Sequence, residues 1–152
     1  MAKSANQKKN YSGSVKKSIQ IKKSADIVWR TISKIAELSW LVDVKKTVYL
    51  SKTKRGVGAI RNITFNDGNQ IEEHIVAWEN KRYFSYIAVT GLPLRLYHAT
   101  ISIKPQKKST TVTWQCYLNS KKMAKKEFDE FVSYLTEFYQ TSLKNLKSRL
   151  EK

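Results

Sequence analysis

A single cysteine, Cys116, is present in this 152-residue chain, so no intramolecular disulfide and no cysteine-based zinc site can form, which suits a reducing compartment. Histidine is almost as scarce, with only His74 and His98, and two separated histidines without clustered acids make no metal-ligand set. No serine or cysteine triad is visible, no 18-residue apolar run occurs, and the basic N-terminus lacks the apolar stretch of a signal peptide. The expectation is a soluble, cytoplasmic, non-membrane-spanning protein that uses no metal and no cofactor.

Acidic residues are the other shortage: 12 against 29 lysines and arginines, a formal charge of +17. Such a balance attracts polyanions of any kind. The lysines are spread over strands, loops and one helix face, lysine far outnumbers arginine, and no zinc finger, helix-turn-helix or RNP-type motif is present. Specific nucleic-acid readout leans on arginine forks and a recognisable module, so the charge reads as a solvated basic surface with nonspecific polyanion attraction. The first acid is Asp26, and residues 1–10 read as a mobile basic tail. Residues 11–152, in a chain with 41% hydrophobic residues, read as one packed domain.

What the chain does have is one long amphipathic stretch. Between residues 124 and 150, Phe128, Phe131, Val132, Leu135, Phe138, Tyr139, Leu143, Leu146 and Leu150 recur at three- and four-residue steps. Such a helix is about 40 Å long, and no second helix of that length exists to cover its apolar stripe. A sheet must cover it, and residues 44–119 read as short antiparallel strands. Before them, Val15, Lys17, Ile19 and Ile21 alternate with Lys16, Ser18, Gln20 and Lys22 as a first strand. Ser24 offers a helix N-cap, and Val28, Trp29, Ile32, Ile35 and Ala36 suggest one or two short helices.

The segment Asn66-Asp67-Gly68 fixes a register. A three-residue turn with Gly68 left-handed sets Ile63 opposite Ile71 and Arg61 opposite Glu73, whereas a two-residue Asp-Gly turn sets Ile63 opposite Glu72. The first matches apolar with apolar and is preferred. Its consequence is an Arg61–Glu73 pair on the inward face, readable either as a structural pair at the sheet margin or as a polar anchor inside a pocket. Further on, Phe84, Tyr86 and Ala88 face inward, Gly91-Leu92-Pro93 is a loop, and Tyr97, Ala99, Ile101 and Ile103 face inward while His98 faces out. Val112, Trp114, Cys116 and Leu118 form the inner face of the last strand.

The order of elements resembles the helix-grip fold of the START/Bet v 1-like (SRPBCC) superfamily. Residues 21–29 followed by Trp40, the run Gly56-Val57-Gly58-Ala59-Ile60-Arg61, Asp67-Gly68 before Ile71-Glu72-Glu73, Tyr86 followed by Gly91-Leu92-Pro93, and Trp114 resemble its polyketide cyclase/dehydrase branch. The resemblance implies an α+β fold, a curved antiparallel sheet wrapped around the long C-terminal helix with two short helices after the first strand. It also implies a cavity holding a hydrophobic small molecule or lipid. Carried over position by position, the lining is Arg61, Ile63, Phe65, Glu73, Phe84, Tyr86 and Tyr97 from the sheet and Phe131, Leu135 and Tyr139 from the helix, with Gly91, Leu92 and Pro93 at the mouth.

The residues alone leave two readings of that interior open. Tryptophans and phenylalanines are numerous enough to fill it. Against this, three inward phenols need partners, which a polar ligand group or water supplies. For a cyclase-, aromatase- or dehydratase-type reaction, Glu73 is the best acid or base, with Tyr86 or Tyr97 donating to a developing enolate. His74 and His98 both fall on the outward face, with no orienting carboxylate evident.

Overall fold

Period-two alternation becomes seven antiparallel strands, and period-3.6 alternation becomes the helix they grip. The computed structural model describes residues 7–152. Strand β1 (Ser12–Ile21) and helix α1 (Ala25–Ile32) precede β2 (Val44–Tyr49), β3 (Ile60–Phe65), β4 (Gln70–Glu79), β5 (Tyr83–Thr90), β6 (Leu94–Pro105) and β7 (Thr110–Ser120), and helix α2 (Lys125–Leu150) closes the chain. The strands form one open sheet in the order β1-β7-β6-β5-β4-β3-β2. Register shifts in β2 after Val44, in β4 beside Glu73 and Ile75, and in β6 after Leu94 bend these strands, and such bulges are what let a sheet curve around a helix. The fold is the expected α+β helix-grip arrangement.

The helix stripe packs as its spacing requires. Phe128, Leu135, Tyr139, Leu143 and Leu146 are buried against Val15, Trp114, Cys116 and Leu118 in a common core. At the start of α2, Glu127 accepts a hydrogen bond from the Ala124 N–H at 3.4 Å, a carboxylate placed where the helix N-terminus favours negative charge. No helix among the described residues is long and apolar enough to cross a membrane.

Two expectations are corrected. Only one short helix follows β1: α1 is capped by the Ser24 hydroxyl, which accepts from the Ile27 N–H, and the chain beyond it runs through turns to Asp43. Those turns carry buried Ile35, Leu38, Trp40 and Leu41, so the segment is held by its side chains rather than by a helical ladder. The boundary of the basic tail also moves. Lys9 exchanges two backbone hydrogen bonds with Met123, at 3.0 and 2.9 Å, and Asn10 donates to the Ser120 carbonyl at 2.8 Å, so these two residues are tied to the connection between β7 and α2. Residues 1–6 of that tail lie outside the described residues.

Candidate functional site

The site begins at the β3–β4 turn. Gly68 has φ +89°, the left-handed value that glycine adopts without cost. The Phe65 N–H donates to the Asn69 carbonyl at 2.9 Å, and the pairs Ile63–Ile71 and Arg61–Glu73 follow, as the three-residue turn requires. Register thereby sets a cation and a carboxylate side by side on the concave face.

Both are buried, Arg61 at 3% and Glu73 at 5% exposure. Arg61 reaches Glu73 Oε1 with Nε and Nη2, each at 2.9 Å, gives Nη1 to the Ile35 carbonyl at 2.8 Å, and lies 4.8 Å over the Tyr86 ring. The turns after α1 thus supply the third anchor of the guanidinium. Glu73 Oε2 has no hydrogen-bond partner among the described residues. Burial raises the Glu73 pKa above its ordinary value, and the adjacent guanidinium opposes that rise without cancelling it.

Arg61 and Glu73 line a cavity of about 740 Å³ between the sheet and α2. Of the expected lining residues, Ile63, Phe65, Phe84 and Tyr97 on the sheet and Phe131 and Leu135 on the helix also border it, and Gly91, Leu92 and Pro93 lie at its edge. That loop is pinned on both sides: Asn69 donates to the Gly91 carbonyl at 3.2 Å, and the Lys121 N–H donates to the Pro93 carbonyl at 3.2 Å. Gly91 has φ +96°, and a Cβ there would stand 2.0 Å from the Gln70 carbonyl oxygen, so only glycine fits.

Tyr86 and Tyr139 are placed differently from expectation. They are fully buried and do not border the cavity. Tyr86 accepts a hydrogen bond from Trp114 Nε1 at 2.9 Å, while the Tyr139 hydroxyl bonds that of Tyr97 and its ring stacks on Trp114 at 3.9 Å. The inward phenols satisfy one another and Trp114, so their need for partners says nothing about a ligand. Burial raises the pKa of all three, which keeps them protonated donors at neutral pH.

Several wall residues were not among the expected lining. Leu38, Trp40 and Leu41 come from the turn-rich segment, Ile71, Ile101 and Trp114 from the sheet, and Tyr134 and Phe138 from α2. Phe131, Tyr134 and Phe138 are spaced by three and four residues, a signal that was there to find. Asp43, Asn66, Asp67 and Asn69 complete the rim. The indole N–H of Trp40 is buried and has no partner among the described residues. On the outer face, His74 does have an orienting carboxylate, Glu72 Oε2 at 2.7 Å, a pairing open to any i, i+2 pair on a strand. It lies across the sheet from the cavity, and His98 is exposed.

Comparison with known proteins places this geometry. The family model described as polyketide cyclase / dehydrase and lipid transport matches residues 12–151. A protein from Bacillus thuringiensis is 22% identical, with a TM-score of 0.78 over 92% of this chain and 100% of its own. A protein from Nitrosospira multiformis is 19% identical, with a TM-score of 0.77 over 91% of this chain and 96% of its own. Norcoclaurine synthase from Thalictrum flavum, a Bet v 1-like protein solved with a transition-state analogue, is 20% identical, with a TM-score of 0.71 over 93% of this chain and 96% of its own. At these identities the likeness is one of fold. None of the curated proteins matches the chain.

Proposed function

The chain belongs to the polyketide cyclase / dehydrase and lipid transport family, and from that premise we propose that it binds a hydrophobic small molecule or lipid between sheet and α2, as a carrier or sensor. One observation carries the reading: a cavity of about 740 Å³ persists in an interior with aromatic side chains enough to fill it. Protein cores pack to crystal density, and voids beyond the size of a water molecule, about 30 Å³, are few. The cavity is partly open to solvent, and its volume falls within the roughly 300–1,000 Å³ of small-molecule sites. Ile63, Phe65, Phe84, Phe131 and Leu135 contribute apolar wall, Arg61, Glu73 and Tyr97 the polar points, and Gly91-Leu92-Pro93 the mouth.

Native mass spectrometry of protein purified from its own host tests this. A retained mass of a few hundred daltons, lost on denaturation, is the expected result. Apolar probes that neither bind saturably nor compete with one another would contradict it.

A second reading, cyclase-, aromatase- or dehydratase-type chemistry, is favoured by Glu73, a carboxyl in the cavity wall whose pKa is raised by burial. Tyr97 is the only one of the proposed phenol donors in the wall, and its hydroxyl is engaged with Tyr139. A retained molecule that wild-type protein converts and Glu73→Gln leaves unchanged would favour this reading. A cytoplasmic location accords with the free thiol of Cys116, and loose attraction to polyanions accords with the net charge of +17.

A further inference from the structure

The wall of the cavity holds a buried hydrogen-bond donor that the protein itself leaves unpaired. Three tryptophans are almost wholly buried, and two of them give their indole N–H within the fold: Trp29 to Asn80 Oδ1 at 3.0 Å and Trp114 to the Tyr86 hydroxyl at 2.9 Å. Trp40, at 1% exposure, borders the cavity with its ring edge-on to Trp114, and its Nε1 has no partner among the described residues. A buried donor without an acceptor carries its full desolvation cost.

The backbone around Trp40 is fixed. Asn145 Nδ2 on α2 donates to the Trp40 carbonyl at 3.2 Å, and the Val42 N–H donates to the buried Ser142 hydroxyl, also on α2, at 3.1 Å. The ring is freer than its backbone. Nε1 is closed to water in this structure, but turning a side chain modestly off its rotamer costs no more than leaving a buried donor unpaired. An acceptor that enters the cavity can therefore draw the N–H toward itself.

The rest of the wall selects among acceptors. Arg61, the one base in the lining, is committed to Glu73 and to the Ile35 carbonyl, so a ligand carboxylate or phosphate would meet no open cation. A neutral carbonyl needs no counter-charge. We infer that the cavity selects a ligand whose apolar body carries a neutral acceptor oxygen of the carbonyl type, and that Trp40 Nε1 is the donor that reads it. The inference rests on the binding reading above and adds the chemical class of the ligand's polar point and the residue that recognises it.

Three probes that share one apolar body test it: acetylnaphthalene, isopropenylnaphthalene, in which a methylene replaces the ketone oxygen, and naphthoic acid, all substituted at the same ring position. Each is titrated calorimetrically against wild type and Trp40→Phe. In Trp40→Phe the affinity of the ketone relative to its isopropenyl twin should fall about five-fold, the loss of one hydrogen bond. Taking the ratio cancels the space freed by the smaller ring. In wild type, the Trp40 indole N–H signal should lie further downfield with the ketone than with the isopropenyl probe, a readout that needs no variant to fold. The acid, ionised at neutral pH, should bind more weakly than the ketone. A ratio indifferent to Trp40→Phe, a Trp40 signal placed alike by both neutral probes, or tightest binding of the acid would overturn the inference and leave the binding reading standing. Failure of all three probes to bind saturably would overturn the binding reading and this inference with it.

Discussion

Replacing Arg61 by Met, Glu73 by Gln, and both together should expose Arg61 and Glu73 as a single coupled unit. Each side chain is almost wholly buried and each is the other's only ion-pair partner among the described residues. Removing one charge leaves the other desolvated and uncompensated, which costs about 3–5 kcal/mol for buried pairs. Arg61→Met should lie at the upper end, because it also strips the Ile35 carbonyl of its donor and removes the cation from the Tyr86 ring. Glu73→Gln should fall well below that range, since an amide oxygen still accepts from the guanidinium and burial already disfavours the carboxylate. The double variant should cost less than the sum of the singles by about 1–3 kcal/mol, a coupling read from urea unfolding with linear extrapolation. Acidity adds a second reading of the same pair. Because burial raises the Glu73 pKa above its ordinary 4.5, the native state binds that proton more tightly than the unfolded chain does. The contribution is therefore fully present below about pH 4.5 and is lost as pH rises through the raised native value. The stability difference between wild type and Glu73→Gln should fall with rising pH across that window. Additive variants, or a difference that rises with pH there, would refute the reasoning.

Leu135→Ala should enlarge the cavity and cost about 2–3 kcal/mol, the low end for buried leucine because one side of Leu135 already faces open space; a change below half a kcal/mol in urea unfolding would show that α2 does not grip the sheet. Tyr139→Phe should cost about 1–3 kcal/mol by orphaning the buried Tyr97 hydroxyl, yet leave probe affinity nearly unchanged, since Tyr139 does not border the cavity. Binding to duplex DNA or anionic vesicles should be weak, blind to sequence and steeply salt-dependent; tight binding that survives high salt would give the basic surface a specific role.

How far the sequence carries differs from element to element. The β3–β4 register was legible because a single glycine at the left-handed turn position and one apolar pattern agree on it, and Arg61–Glu73 followed without further assumption. The helix stripe was legible for the same reason, period and burial pointing one way. Alternation, however, reports which face a side chain is on and not how deep it lies. Tyr86 and Tyr139 face inward as expected, yet their hydroxyls end in a network with Tyr97 and Trp114 instead of in the cavity. Leu38, Trp40 and Leu41 were beyond reach because a turn-rich segment has no period to read. Asp43 and Asp67 lie exposed in turns, and it is the pairing of β2 with β3, with the Asn66 N–H given to the Asp43 carbonyl, that brings them to one rim.

The most direct test of the central claim uses the four tryptophans as reporters. Trp40 and Trp114 border the cavity, whereas Trp29, hydrogen-bonded to Asn80 at 3.0 Å, and Trp78 do not. In a titration with naphthylmethanol followed by the indole N–H signals in a nitrogen–proton correlation spectrum, the signals of Trp40 and Trp114 should move together and saturate at one equivalent, while those of Trp29 and Trp78 stay in place. Signals that do not move, or four that drift without saturation, would contradict the claim that this fold holds an apolar ligand between its sheet and its long helix.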